Sequence, residues 1–139
     1  MRGCIVFFYE AVEENPIIAA VKNMDDLEIC CSLENIRVIF ILFGDVCSIR
    51  EIVVEFIQRN TEADGIISTK SALIKKGREL RLFTILRYFL LDSMAYENIK
   101  QQQHTVKPDF IEVLPGVMPK VIEKVCKLSG TGYLIAQRE

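Results

Sequence analysis

The sequence ADGIISTKSALIKKGRELRLFTILRYF, residues 63–89, decides the fold of this chain. Its two apolar runs predict β-strands at residues 64–68 and 83–89, because short apolar runs bounded by polar residues are typical of strands. The charged, amphipathic stretch between them predicts a helix from about residue 72 to residue 80. A strand, a helix and a second strand in this order indicate a parallel βαβ unit.

The same alternation of apolar runs and amphipathic stretches continues on both sides of this unit. Further strands are predicted at 16–21, 36–43, 109–114 and 133–136, and further helices at 24–33, 48–60, 93–103 and 119–128. The fold class is therefore α/β, an incomplete TIM-barrel-like parallel β/α fold with five βα units and a terminal strand. A complete eight-unit barrel takes about 200–250 residues. The 139 residues contain no linker, so we expect one shortened domain over residues 1–139.

Two of the predicted helices begin with capping signals. Asn23 or Asp25 is expected to cap the helix over 24–33. Ser48 is followed three residues later by Glu51, which is the pattern of a capping box.

Composition excludes some classes of protein. Half of the residues are hydrophobic and the formal net charge is −2. A chain of this composition can bury enough apolar surface to fold, so we expect a globular protein rather than a disordered one. The overall charge does not attract phosphate backbones, and nucleic-acid binding would have to come from a local basic surface.

The cysteines, the histidine and the glycines show no pattern of a metal, catalytic or nucleotide site. The five cysteines are scattered without CxxC spacing, and His104 is the only histidine. Neither a metal site nor a catalytic triad is predicted, and no Walker or GxGxxG motif is present. The apolar start of the sequence is too short for a signal peptide or a membrane span. We therefore expect a cytoplasmic protein with reduced thiols, no metal, no cofactor and no membrane contact.

Polar residues at the carboxyl ends of the predicted strands are the candidates for ligand binding, because parallel β/α proteins bind ligands there. Arg87 lies in an apolar strand and is expected to need a carboxylate or phosphate partner. Glu112 also has apolar neighbours on both sides, and its expected partner is Arg87 or Lys70. Lys70 follows two hydroxyl residues at a strand end that leads into a helix, where an anion can be bound. The candidate site for a small anionic ligand is Lys70, Arg87, Asp92, Ser93, Glu112 and Gly116.

Each of these residues also has a second interpretation. Arg87 and Glu112 could form a pair with a purely structural role. Asp92 and Ser93 could simply cap the helix that follows them. Lys70 could form a Schiff base if its amine were desolvated.

Basic residues are densest in and just after the helix over 72–80, and they are the candidates for RNA binding. They are Lys75, Lys76, Arg78 and Arg81. A second basic group, on the last helix, is Lys120, Lys124 and Lys127. Either group could instead be a solvated helix surface.

Four longer motifs are similar to those of a known family. They are NPIIAAVK (15–22), ADGIISTK (63–70), TILRYFLLDS (84–93) and PDFIEVLPGVMPK (108–120). In this order and spacing they resemble the glycerol-3-phosphate-responsive antiterminators that regulate bacterial glycerol uptake operons. The resemblance runs from Asn15 to about Lys127. It implies a barrel-like, non-enzymatic, cytoplasmic regulator that senses glycerol 3-phosphate as its effector and acts on leader mRNA to prevent transcription termination.

The sequence departs from the family pattern in three places. The family has a further βα unit between the strand that ends near Gly44 and the helix that ends near Asn60. It also continues through a glycine-rich phosphate-binding end after the last strand predicted here. Arg81 stands where the family has a turn glycine, so a positive φ at this position would add strain of the order of 1 kcal/mol.

Two alternatives to a regulator remain open at the level of sequence. One is an isomerase or aldolase on a phosphate-binding β/α scaffold, with Lys70 as the reactive amine. The other is a truncated product with impaired function, which pairs its open sheet edges with a second copy as a homo-oligomer.

Overall fold

The structure is a computed structural model that describes residues 9–43, 47–89, 93–114, 119–129 and 134–136. Five βα units follow one another and lead into a sixth strand, which confirms the order predicted from the apolar runs. The strands are β1 (Ile18–Val21), β2 (Val38–Ile41), β3 (Gly65–Ser68), β4 (Phe83–Phe89), β5 (Phe110–Leu114) and β6 (Leu134–Ala136). The helices that follow them are α1 (Met24–Cys31), α2 (Cys47–Asn60), α3 (Ser71–Glu79), α4 (Ser93–Val106) and α5 (Pro119–Ser129).

All six strands form one parallel sheet in the order β1-β2-β3-β4-β5-β6. Each strand pairs with the next strand in the sequence, which is the order found in β/α barrels. β2 pairs directly with β3, with Val38 opposite Gly65. Within the described residues α2 is the element that connects these two strands, and no additional βα unit lies between them.

The five helices bury one face of the sheet. Leu27 of α1 and Val53 of α2 pack in one cluster with Ile39 and Ile66 of the sheet. α3, α4 and α5 contribute to a second cluster around Leu86 of β4. Every second residue of a strand points to the same face, so the near-continuous apolar runs of β2 to β5 correspond to strands that are covered on both sides, whereas Ile18 and Ala20 of the edge strand β1 are exposed.

The opposite face of the sheet carries a smaller apolar cluster. Val38, Ile67, Phe83, Ile85 and Phe110 lie in it, together with Val12 from the helical residues 9–14. Tyr9 also covers this face, with its ring edge-to-face on that of Phe110 at 6.2 Å between centroids. Arg87 and Glu112 follow this cluster toward the carboxyl ends of β4 and β5.

The helix boundaries agree with the predicted ones to within two residues, except at the end of α4. Asn23 caps α1, and its Oδ1 accepts a hydrogen bond from the Asp26 backbone N–H at 2.8 Å. α2 begins at Cys47, so Ser48 lies in the first turn and not at the capping position expected for it. α4 extends to Val106, three residues beyond its predicted end.

Arg81 takes a positive φ of 61°, so the strain described for a positive φ at this position applies. It follows Leu80, the C-cap of α3, and its N–H donates to the carbonyl of Arg78 at 3.0 Å. The next N–H, that of Leu82, donates to the carbonyl of Gly77 at 2.9 Å. These two hydrogen bonds form a Schellman motif, in which glycine is the usual residue at the position of Arg81.

Polar contacts hold the amino ends of the central strands. Arg37 Nε donates to Asp64 Oδ2 at 2.6 Å, and this bond raises the pKa of the Arg37 guanidinium. Asp109 Oδ2 accepts from the backbone N–H and the hydroxyl of Thr84 at 2.9 and 3.1 Å. The amino ends therefore have a structural role, whereas the carboxyl ends are available for ligands.

Candidate functional site

The strongest polar contact near the carboxyl ends of the strands joins Arg87 and Glu112. The two residues are register partners on β4 and β5, so their side chains leave the sheet side by side on the same face. Arg87 Nε donates to Glu112 Oε2 at 2.6 Å and Nη2 donates to Oε1 at 2.9 Å. The side chains are 16% and 8% exposed, respectively. The pairing of these residues expected from the sequence is therefore present, in the bidentate form that Arg favours with carboxylates.

Phe40 of β2 forms a third part of this arrangement. The Arg87 Cζ lies 4.1 Å from the centroid of its ring, so the guanidinium is in cation–π contact with Phe40. Phe40 packs against the cluster on the face opposite the helices, which places the ion pair on that face as well. The carboxylate of Glu112 and the ring of Phe40 together fix the guanidinium plane.

Lys70 lies at the same edge of the sheet, beyond the end of β3. Ser68 is the last residue of β3 and pairs in register with Leu86 of β4. Lys70 is the N-cap residue of α3, and its backbone N–H donates to the buried Ser68 hydroxyl at 3.0 Å. Lys70, Arg87 and Glu112 thus come from the carboxyl ends of three consecutive strands.

The remaining ligand candidates are less well defined. Ser93 is the first residue of α4 and is exposed. Asp92 and Gly116 lie outside the described residues.

The four RNA candidates lie at α3, on the helical side of the sheet. Lys75 and Arg81 are exposed, and Arg78 is half-buried. Lys76 differs from them because its Nζ lies 3.0 Å from Glu55 Oε1 of α2. This hydrogen bond raises the pKa of Lys76. The charge of Lys76 is therefore paired, whereas Lys75 and Arg81 present theirs to solvent.

Charge is divided unevenly between the two halves of the chain. Residues 1–69 contain five basic and twelve acidic residues, a net charge of −7. Residues 70–139 contain twelve basic and seven acidic residues, a net charge of +5. Within the helical layer, α1 has a net charge of −3, α3 and α5 have +2 each, and α2 and α4 are neutral, so the layer is acidic at α1 and basic at α3 and α5.

The second basic group also lies in the basic half of the helical layer. Lys120 and Lys124 of α5 are exposed, and α5 packs beside α4. Lys127 Nζ lies 2.8 Å from Glu123 Oε1, one turn earlier in the helix. This group therefore extends the basic side with two lysines that are exposed and one that is paired.

Sequence reasoning did not single out Phe40 as a site residue. It lies in the middle of an apolar run, and such a position looks like any other core residue. Its contact with Arg87 spans from β2 to β4, across β3, and follows from the strand order rather than from local sequence.

Two further features bear on the classes of function. Among the described residues, no three His, Cys, Asp or Glu side chains come together as metal ligands would. In the same part of the chain no helix combines the length and apolar character needed to cross a bilayer.

Comparisons with known proteins agree on one family. The model of the family described as "Glycerol-3-phosphate responsive antiterminator" matches residues 50–136. The uncharacterized protein YgcP of Escherichia coli (strain K12) is 34% identical over 158 residues, which cover 92% of this chain and 82% of the relative. The crystal structure of the glycerol uptake operon antiterminator regulatory protein from Listeria monocytogenes str. 4b F2365 shares the fold, with a TM-score of 0.62. That match has 23% identity and covers 88% of this chain and 79% of the other.

The match with YgcP also spans more positions than this chain supplies. The match spans 158 positions, whereas 92% of 139 residues is about 128, so about 30 positions have no counterpart in this chain. This deficit is about the length of one βα unit. It agrees in size with the unit that the family resemblance places between β2 and the end of α2.

The family-model match covers more than half of the chain, and the relative in Escherichia coli exceeds 30% identity over nearly all of it. Both matches agree with the parallel β/α architecture described above. The chain belongs to the glycerol-3-phosphate responsive antiterminator family.

Proposed function

We propose that this protein is a cytoplasmic sensor of glycerol 3-phosphate that binds leader mRNA of glycerol uptake operons and prevents transcription termination. The family is named for its response to glycerol 3-phosphate, and the related crystal structure is that of a glycerol uptake operon antiterminator regulatory protein. The observation that carries the proposal is the Arg87–Glu112 pair at the carboxyl ends of β4 and β5. Ligands of parallel β/α proteins bind at this edge of the sheet.

The proposed effector site consists of Lys70, Arg87 and Glu112, with Ser93 at the start of α4. Asp92 and Gly116 belong to the same strand-end segments by sequence, and we include them in the proposal. Lys70 supplies positive charge beside the first N–H groups of α3, which is a favourable place for a phosphate.

The proposed RNA surface is the exposed side of α3, with Lys75, Lys76, Arg78 and Arg81. Its support is the +5 charge of residues 70–139, because RNA affinity depends largely on basic residues that contact phosphates. Among the four, Lys75 and Arg81 are the most available, since Lys76 is paired with Glu55.

The proposed mechanism is regulation without catalysis. Glycerol 3-phosphate binds one conformation more tightly than another and shifts the population toward the form that binds RNA. The size of this shift is limited by the difference in ligand affinity between the two forms. Catalysis through Lys70 would require a Schiff base, which borohydride reduction in the presence of a carbonyl phosphate would trap. We expect no such adduct.

The effector site is tested by isothermal titration calorimetry with glycerol 3-phosphate. We expect binding by the wild-type chain and at least tenfold weaker binding by Arg87→Ala, because this change removes the donors and leaves Glu112 unpaired. Arg59→Ala is the control, since Arg59 is exposed in the last turn of α2, which leads toward the amino ends of the strands and away from the proposed site. In a transcription assay through a leader terminator, glycerol 3-phosphate should raise read-through for wild type and for the control. No heat and no read-through at millimolar ligand would contradict the proposal.

A further inference from the structure

We infer that the Arg87–Glu112 pair recognises the glycerol hydroxyl groups of the effector, whereas the phosphate is bound by other groups. This inference rests on the proposed function and refines it. It assigns the two ends of the ligand to different parts of the site, and it adds Phe40 as a positioning residue.

Hydrogen-bonding groups remain on both side chains after the pair has formed. A guanidinium has five N–H groups, and a carboxylate accepts at about four positions. Two hydrogen bonds join Arg87 to Glu112. Within the described residues, neither side chain has a further hydrogen-bond partner. The pair therefore still offers both donors and acceptors at one place.

A hydroxyl group matches this combination. An alcohol donates one hydrogen bond and accepts others, so it can donate to Glu112 while it accepts from Arg87. Two neighbouring hydroxyls, such as those of the glycerol moiety, can use the donors and the acceptors together. A phosphate dianion only accepts, and it leaves the free positions of the carboxylate unused.

The charge of the pair also distinguishes a hydroxyl group from a phosphate. The Arg87 guanidinium is already compensated by Glu112, so the pair has no net positive charge. A phosphate beside it would also lie near the carboxylate, and the two negative charges would repel each other. Because the side chains are only 16% and 8% exposed, solvent screens this repulsion poorly. The pair thus favours neutral polar groups over a dianion.

Phe40 and Glu112 also limit the access of a ligand to the Arg87 guanidinium. The Phe40 ring lies over the group at 4.1 Å and covers one of its faces, while Glu112 occupies the edge formed by Nε and Nη2. A ligand can approach in the plane from the remaining edge or from the uncovered face. Phe40 therefore holds the guanidinium in the orientation in which its unused N–H groups meet a ligand hydroxyl.

The test compares three probes by calorimetry: glycerol 3-phosphate, propyl phosphate, which has no hydroxyl group, and inorganic phosphate. We expect wild type to bind glycerol 3-phosphate at least tenfold more tightly than propyl phosphate. Glu112→Gln should reduce this ratio to threefold or less, because it removes a charged acceptor. It should leave inorganic phosphate binding unchanged or tighter, because the guanidinium becomes uncompensated. Phe40→Leu should lower the ratio without changing inorganic phosphate binding.

The matched control is Asp64→Asn. This change breaks a second Arg–carboxylate pair, that of Arg37 with Asp64 at the amino end of the sheet, and it should leave the ratio between the probes as in wild type. Circular dichroism verifies that each variant is folded. If Glu112→Gln does not fold, the wild-type ratio and Phe40→Leu still test the inference.

The outcomes separate this inference from the proposed function. Equal wild-type affinity for glycerol 3-phosphate and propyl phosphate would overturn the inference and leave ligand sensing intact. Weaker inorganic phosphate binding by Glu112→Gln would overturn the inference too. So would an unchanged ratio of the affinities for glycerol 3-phosphate and propyl phosphate in both Glu112→Gln and Phe40→Leu. Absence of glycerol 3-phosphate binding by wild type would overturn the proposed function, and the inference with it.

Discussion

Arg87 is a charged residue on an otherwise apolar strand, and its contacts show how the cost of burying it is offset. Removing a charge from water costs several kcal/mol even after relaxation. Two hydrogen bonds to Glu112 and the contact with the Phe40 ring compensate for this loss. Such a pair stabilises a fold weakly compared with apolar residues of the same size. Its position at the carboxyl end of the sheet supports the proposed role in binding.

Arg81 provides a test of backbone strain. A non-glycine residue in the left-handed region destabilises the folded protein by about 1–2 kcal/mol. Glycine removes this strain, but its greater freedom in the unfolded chain lowers the stability by about 0.5–1 kcal/mol. Arg81→Gly is therefore expected to raise the free energy of unfolding by about 0.5–1 kcal/mol, as measured by urea denaturation. Arg81→Ala is the control, because it removes the charge and keeps the Cβ. An equal gain in the two variants would assign the effect to the charge instead.

At the scale of elements, two glycines allow β3, β4 and α3 to pack closely. A Cβ on Gly65 would lie 2.8 Å from the Phe83 Cβ and 3.2 Å from the Phe83 carbonyl oxygen. A Cβ on Gly77 of α3 would lie 2.7 Å from the Ile66 Cδ1 and 3.1 Å from the Thr84 Cγ2. The first contact involves the backbone of a paired strand, and the second mainly the end of a flexible side chain.

This difference predicts the order of two substitutions. Gly65→Ala should destabilise the protein by about 1–3 kcal/mol, because β4 cannot move away without losing its hydrogen bonds to β3. Gly77→Ala should cost less, because the Ile66 side chain can adjust and alanine contributes up to about 1 kcal/mol of helix propensity. Urea denaturation of both variants measures the order directly. A larger loss for Gly77→Ala would show that α3 is the more rigid contact.

At the scale of the whole molecule, the division of charge sets the direction of electrostatic attraction. The net charge of −2 is the sum of −7 for residues 1–69 and +5 for residues 70–139. An RNA molecule would therefore approach the side formed by α3, α4 and α5, and would be repelled by the acidic helix α1.

This polarity predicts the salt dependence of RNA binding. The triple variant Lys75→Ala/Arg78→Ala/Arg81→Gly should bind a fluorescently labelled leader RNA at least tenfold more weakly than wild type. It should also show a salt slope smaller by about 2–3, since each lost phosphate contact contributes about 0.7–0.9. Fluorescence anisotropy at several salt concentrations measures both quantities. Lys22→Ala, on the acidic half, is the control. Wild-type affinity and slope in the triple variant would exclude α3 as the RNA surface.

The sequence alone determined the strands, the helices and their order. Apolar runs and amphipathic stretches are local signals, so the βα units could be predicted without knowledge of tertiary contacts. The family resemblance marked Arg81 as a place where a positive φ would add strain, and the structure shows that φ is positive there. The start of α2 was misplaced by one residue, because a capping-box pattern at Ser48 does not exclude an earlier start of the helix.

Only the tertiary structure decided which charged groups meet. From the sequence, Glu112 could pair with Arg87 or with Lys70; the register of β4 and β5 makes Arg87 its partner. The contact of Phe40 with Arg87 and that of Lys76 with Glu55 join elements that are distant in the sequence. Local patterns specify the elements because periodicity acts over a few residues, whereas a site forms only when strand order and register bring separate elements together.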